Sequence, residues 1–228
     1  MPAVPGRGGG GMRNQWTLVG LTVLLWIAGG FALQILPDPA PIHWNALGEV
    51  DGYGPRWQAA FMPAGIATLM AVLAPILPRI DPRNRGYDNF RDTYYLIMNT
   101  IVLLFGFILY ATVASALSWP IAGPRVILAV LGLFLALLGR QMDRVEPNFF
   151  VGIRTPWTLA DPVVWQRTHR FGARWMAIGG GLGTILALTL PENLVFVVVF
   201  PLIVTPPLAA VAASYVFWRQ RLSGGTHE

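Results

Sequence analysis

The sequence predicts an all-α polytopic membrane bundle of six transmembrane helices. Three observations lead there: six long apolar runs, few charged side chains, and a gathering of those charges between the runs on one side. Of the 228 residues, 54% are hydrophobic and 12% charged, with mean hydropathy +0.54. An ordinary globular domain has about 25% charged residues, so this surface suits lipid better than water.

The first 14 residues are rich in glycine and proline, with Arg7 and Arg13 among them. They read as a flexible tail, and Met12 offers a second start besides Met1. The first apolar run extends from Gln15 to Leu36. A bilayer core takes about 20 residues to cross, whereas the apolar part of a signal peptide has only about 7–15; this run is a membrane anchor. Five more follow at about 59–78, 93–117, 125–139, 173–190 and 194–218. The fourth is short and is expected to extend into flanking residues such as Gln141. Pro63 and Pro75 in the second, and Pro201, Pro206 and Pro207 in the sixth, predict kinks, because each proline frees a carbonyl that a neighbour must satisfy. The sixth run is the most irregular. The chain thus divides into a tail (1–14), an N-terminal helix pair with its outer loop (15–92), a membrane module (93–222) with a loop at 140–172, and a C-terminal tail (223–228).

All 16 basic residues are arginine and the pI is about 10.2. Basic residues clustered on one element would point to nucleic acid. Here they alternate with apolar runs, and no direct nucleic-acid contact is expected. With the N-terminus inside, only Arg56 and Arg125 fall outside and every other arginine faces the cytoplasm, a strong positive-inside bias. The topology reads N-in, C-in. There is no cysteine, which excludes disulfides and thiolate metal sites. Two long connections, an outer one at 37–58 and an inner one at 140–172, each join the first two helices of a three-helix half. They lie on opposite faces, as an inverted repeat would place them, although the two halves share negligible sequence similarity.

The polar residues within the spans are Asn99, Thr100, Ser115, Thr184 and Thr189. Proton-coupled transport and intramembrane hydrolysis usually use buried acids, histidine, or a nucleophile with its base, and the spans lack them. Asn99 reads as an interhelical hydrogen-bonding residue, with substrate ligand as the alternative. The Gly179-Gly180-Gly181 run with Gly183 reads as a point of close helix approach, with a hinge as the alternative.

Candidate functional residues concentrate in the two loops. The outer loop offers Pro41, His43, Trp44, Asn45, Gly48 and Asp51. One histidine with the scattered acids Asp38, Glu49 and Asp51 falls short of three converging ligands; no metal and no cofactor are expected. Pro37, Pro39 and Pro41 should hold the loop extended at its start, and Trp44, Tyr53 and Trp57 suit the membrane–water boundary. In the inner loop, Asp161 before Pro162 reads as an N-cap and first helical residue. Val164, Trp165, Thr168 and Phe171 then recur at helical spacing, with Arg167 and Arg170 on another face, as in an amphipathic helix lying in the interface. Thr155 before Pro156 gives a second, shorter helix start. Arg154, Arg167, His169 and Arg170 could hold a phosphate, an anionic headgroup or an acidic partner. Alternatively they are positive-inside arginines beside a solvated histidine.

Two stretches resemble a known family. Leu36-Pro-Asp-Pro-Ala-Pro-Ile-His-Trp-Asn45, with Gly48 and Asp51-Gly-Tyr53, resembles the short unknown-function domain that often precedes an SdpI-like module. Asn148-Phe-Phe-Val-Gly-Ile-Arg-Thr-Pro-Trp-Thr-Leu159, with Trp165 and Arg170-Phe171, resembles the motif of the SdpI-like bacterial immunity proteins. The number and order of spans agree, so the resemblance covers nearly the whole chain. It implies a multi-pass protein of the bacterial cytoplasmic (inner) membrane. It further implies a non-enzymatic immunity or sensor role toward a secreted antimicrobial peptide toxin, with signalling through a cytoplasmic transcriptional repressor. The partners so implied are the lipid bilayer, a peptide toxin outside and a repressor inside, and no catalytic residues come with the family. On this reading Asn148, Gly152, Arg154, Thr155, Pro156, Trp157, Trp165, Arg167, His169 and Arg170 form an inner docking or anion-binding surface. The alternative is a small transporter or lipid-handling protein with substrate near Asn99. An interfacial enzyme would require Arg154, Arg167 and His169 to converge.

Overall fold

The computed structural model describes residues 8–45, 49–83, 87–119 and 124–224. In chain order the elements are α1 (Gly8–Ile35), β1 (Ala40–Trp44), β2 (Val50–Gly54), α2 (Arg56–Ile80), α3 (Tyr87–Ala116), α4 (Pro124–Met142), α5 (Pro156–Ala160), α6 (Pro162–Thr189) and α7 (Glu192–Gly224). Among the described residues, six helices are long and apolar enough to cross a membrane: α1, α2, α3, α4, α6 and α7. They pack as two triplets, α1–α2–α3 and α4–α6–α7, which meet chiefly through α3 and α4. The β1–β2 hairpin lies on one face, hereafter the hairpin face. The chain between α4 and α6 lies on the other, the loop face.

Three boundaries differ from the sequence reading. Helix α1 starts at Gly8, inside the stretch read as a tail. The outer loop holds an antiparallel hairpin, unforeseen because its strands are interrupted by proline and glycine. The helix expected to lie in the interface at 162–171 is instead the first part of α6, continuous with the fifth span through Thr189. Its apolar stripe therefore faces protein: Val164, Trp165 and Thr168 are all buried. Helix α4 extends past Gln141 to Met142, as its short apolar run required.

The helices meet where side chains are small. A β-carbon on Gly180 would come within 2.5 Å of the Ala136 nitrogen and the Gly132 oxygen, so α4 and α6 approach backbone to backbone. Gly139 faces Ala177 in the same way, at 2.6 Å. Gly179 turns toward α7, where an added β-carbon would meet the Leu202 oxygen at 2.6 Å. That carbonyl lost its helical donor to Pro206. The glycine run thus serves close approach on two sides at once. In α2, Pro78 removes the donor for the Ala74 carbonyl, and Tyr94 Oη of α3 donates to that oxygen at 2.9 Å. Asn99 is buried, and its Nδ2 donates to the Asn14 carbonyl of α1 at 3.1 Å, an interhelical bond. At the far end of α6, Arg125 of α4 donates to the Ala187 and Leu190 carbonyls at 3.0 and 2.7 Å, capping the last carbonyls of the helix terminus.

Candidate functional site

The loop face is built around Asn148, which has no exposed surface. Its Oδ1 accepts from the Phe150 and Val151 nitrogens at 2.8 and 2.7 Å, and its Nδ2 donates to the Glu146 and Val151 carbonyls at 2.8 and 2.9 Å. One side chain thereby takes the place of the backbone ladder that this non-helical stretch lacks. Asp81, also buried, fixes the outside of the turn. Its Oδ2 accepts from the Phe149 nitrogen at 2.8 Å and from Tyr87 Oη at 3.0 Å, and its Oδ1 from the Arg83 nitrogen at 2.8 Å. These are charge-assisted bonds, stronger than neutral ones. Tyr87 Oη lies 3.2 Å from Asn148 Oδ1 as well, so the α2–α3 junction and the loop share one polar core.

Gly152 follows with φ +115°, a region that side chains disfavour. A β-carbon there would run into His169 Nε2. That nitrogen accepts from the Ile153 N–H at 2.9 Å, which leaves Nδ1 to donate to the Trp165 carbonyl at 2.9 Å. The imidazole is therefore the neutral Nδ1–H tautomer, stacked on Trp165 with centroids 4.1 Å apart. The expected solvated histidine is instead a core residue, 1% exposed. Trp165 Nε1 donates to the Val145 carbonyl at 2.7 Å and closes the loop on its other side.

Thr155 and Pro156 start α5 as the sequence predicts. Thr155 Oγ1 accepts from the Thr158 nitrogen while Thr158 Oγ1 accepts from the Thr155 nitrogen, a reciprocal capping box. Thr155 Oγ1 also lies 3.1 Å from Ser214 Oγ of α7. Asp161 caps α6, accepting from the Val163 and Val164 nitrogens at 2.7 and 3.3 Å.

The inner-loop candidates therefore separate into two sets. Asn148, Thr155, Trp165 and His169 are buried, and half-buried Gly152 belongs with them as backbone architecture. Arg154, Pro156, Arg167 and Arg170 are exposed, and Trp157 is half-exposed against Tyr215 and Trp218. Arg154 donates to the Phe149 carbonyl, Arg167 to Gln220 while stacking over Phe217, and His169 points into the core. Arg154, Arg167 and His169 do not converge on one pocket. The sequence reading missed Asp81, Tyr87, Thr158 and Ser214. Of these only Thr158 lies inside the recognised motif; the others reach it from distant helices.

On the hairpin face, Pro41 is buried opposite Tyr53, and Trp44 Nε1 donates to Ser115 Oγ of α3 at 3.0 Å. His43 Nδ1 lies 2.5 Å from Asp51 Oδ1, with both side chains exposed. Asn45 and Glu49 bridge the turn, Asn45 Nδ2 donating to Glu49 Oε2 at 2.9 Å and the Glu49 nitrogen to Asn45 Oδ1 at 3.0 Å. Gly48 lies outside the described residues.

The sequence is similar to known proteins in both of its halves. Residues 144–217, which hold the loop core, α6 and most of α7, match the SdpI/YfhL protein family. Residues 20–68, covering most of α1, the hairpin and the first half of α2, match a domain of unknown function, DUF1648. The immunity protein SdpI of Bacillus subtilis (strain 168) is 25% identical over 92% of this chain and 98% of its own. No solved structure matches. The chain is a multi-pass bacterial membrane protein that matches the SdpI/YfhL family over residues 144–217 and the unknown-function domain over its first helix pair and hairpin.

Proposed function

We propose that this chain is a non-enzymatic membrane immunity protein, which protects its cell from a secreted antimicrobial peptide toxin. The observation that supports it is the end-to-end likeness to an immunity protein, covering 92% of one chain and 98% of the other. With the N-in, C-in orientation drawn from the arginine bias, the hairpin faces the toxin. Its exposed His43, Asp51 and Tyr53, with Trp57 at the start of α2, form the receiving surface. The exposed set on the loop face around Arg154, Pro156 and Trp157 is then a docking surface for a cytoplasmic partner such as a transcriptional repressor.

A transporter fits less well, because Asn99 directs its amide nitrogen to the neighbouring helix. An enzyme fits less well too, because Arg154, Arg167 and His169 each engage a different partner. Toxin challenge tests the proposal. A sensitive host expressing the protein should survive doses that kill the empty-vector strain. Unchanged killing across several cognate peptides, with the protein present in the membrane at normal level, overturns it.

A further inference from the structure

Helix α6 carries two adjoining stripes where it meets the loop face. Arg167, Arg170 and Arg174 stand at i, i+3 and i+7, one side of a helix. Phe171, Trp175, Ile178 and Leu182 follow at successive steps of three and four and continue toward the middle of the span. Each stripe lines a cavity. The first, about 630 Å³, gathers those three arginines with Arg140 of α4, and Asp143 is its one acidic lining residue. The second, about 640 Å³, lies between α6 and α7 and is apolar except for Thr205. Phe171 and Trp175 line both. A cationic chamber thus adjoins an apolar groove at two aromatic rings.

The charges in the chamber are uncompensated. Among the described residues, Arg140, Arg170 and Arg174 make no ion pair and no side-chain hydrogen bond. Arg167 is held by Gln220 and by the Phe217 ring. Four guanidiniums against one carboxylate favour an anion with several acceptor oxygens, and phosphate matches the planar guanidinium fork. The groove favours a hydrocarbon chain attached to that anion.

We propose that this site holds an anionic glycerophospholipid, its phosphate among Arg140, Arg167, Arg170 and Arg174 and one acyl chain along α6 and α7. Basic pockets between membrane helices recognise lipid headgroups in this way. The site differs from ordinary arginine contact with the membrane surface because it selects one headgroup and needs a particular set of four arginines.

Native mass spectrometry of the full-length protein in detergent, with phosphatidylglycerol or phosphatidylcholine added in equal amounts, tests it. Wild type should retain phosphatidylglycerol preferentially and gain thermal stability from it. Arg170→Gln with Arg174→Gln should cut that preference by about tenfold or more. Arg79→Gln with Arg219→Gln removes the same charge from the same face outside the chamber and should leave the preference in place. Trp175→Ala should weaken retention while the headgroup preference persists. Equal retention of the two lipids by wild type overturns the proposal, and that measurement requires no variant. An equal loss in the Arg79/Arg219 variant also overturns it, because bulk electrostatics would then suffice. Stabilisation by inorganic phosphate as large as that by the lipid overturns the acyl-chain part.

Discussion

The two faces of the molecule solve the same problem, an irregular connection between membrane helices, in opposite ways. The hairpin uses backbone pairing and leaves its polar side chains outside, with His43 against Asp51 and Asn45 against Glu49 in water. The loop has no strand and turns its polar side chains inward, where Asn148, Asp81, Thr155, Thr158 and His169 bond to backbone groups and to one another. A buried polar group costs about 1–3 kcal/mol when its partner is lost, whereas an exposed pair contributes about 0.2–1 kcal/mol. The loop is therefore fixed by folding, and the hairpin is open to selection for recognition. Much of the Asn148–Leu159 motif belongs to the fold, and the exposed remainder is where docking would act.

Substitutions can break this contrast, and the largest effect is expected at Gly152. Gly152→Val adds a β-branched side chain at φ +115° and pushes into His169. A loss of about 4 kcal/mol follows from strain and overpacking together, read as a lower Tm in detergent and reduced membrane accumulation. Asn148→Ala comes next. It leaves the Phe150 and Val151 N–H groups without an acceptor and should cost about 3 kcal/mol, while His43→Ala in the same assay barely moves the Tm. Asp161→Ala removes a cap and the 3.4 Å contact with Arg221, for about 1 kcal/mol. The smallest stability effect, about 0.5 kcal/mol or less, is expected for His43→Ala with Asp51→Ala. That double variant should nonetheless lower survival under toxin challenge. If it instead unfolds the protein, or if Asn148→Ala leaves the Tm unchanged, the contrast between the faces is wrong.

The six spans were legible because hydrocarbon demands long apolar runs and the sequence contains them. The starts of α5 and α6 were legible from Thr155-Pro156 and Asp161-Pro162, since N-caps act within three residues. The hairpin was not, because Ala40–Trp44 and Val50–Gly54 lack the apolar alternation that marks a half-buried strand. Arg167, Arg170 and Arg174 hid the continuity of α6 by lowering the hydropathy of its first turns, although they leave its helical period intact. The burial of His169 had one local signal, Trp165 four residues earlier. Its other partner, Ile153, is fixed only when the loop folds back across α6. Asp81 and Tyr87 had none, since they reach the motif from some sixty residues away.

Helix α6 has a mechanical consequence. Its 28 residues make a rod of about 42 Å, well beyond the roughly 30 Å hydrocarbon thickness. Both tips are tethered, one where Trp165 donates to the Val145 carbonyl and His169 accepts from the Ile153 N–H, the other by the Arg125 guanidinium. Past its first turn it has no proline to serve as a joint, and Gly179 and Gly180, where it could bend, are wedged between α7 and α4. Such a rod pivots as a unit: tilting its tip on the hairpin face swings its other tip, together with the arginines mounted there, in the opposite direction.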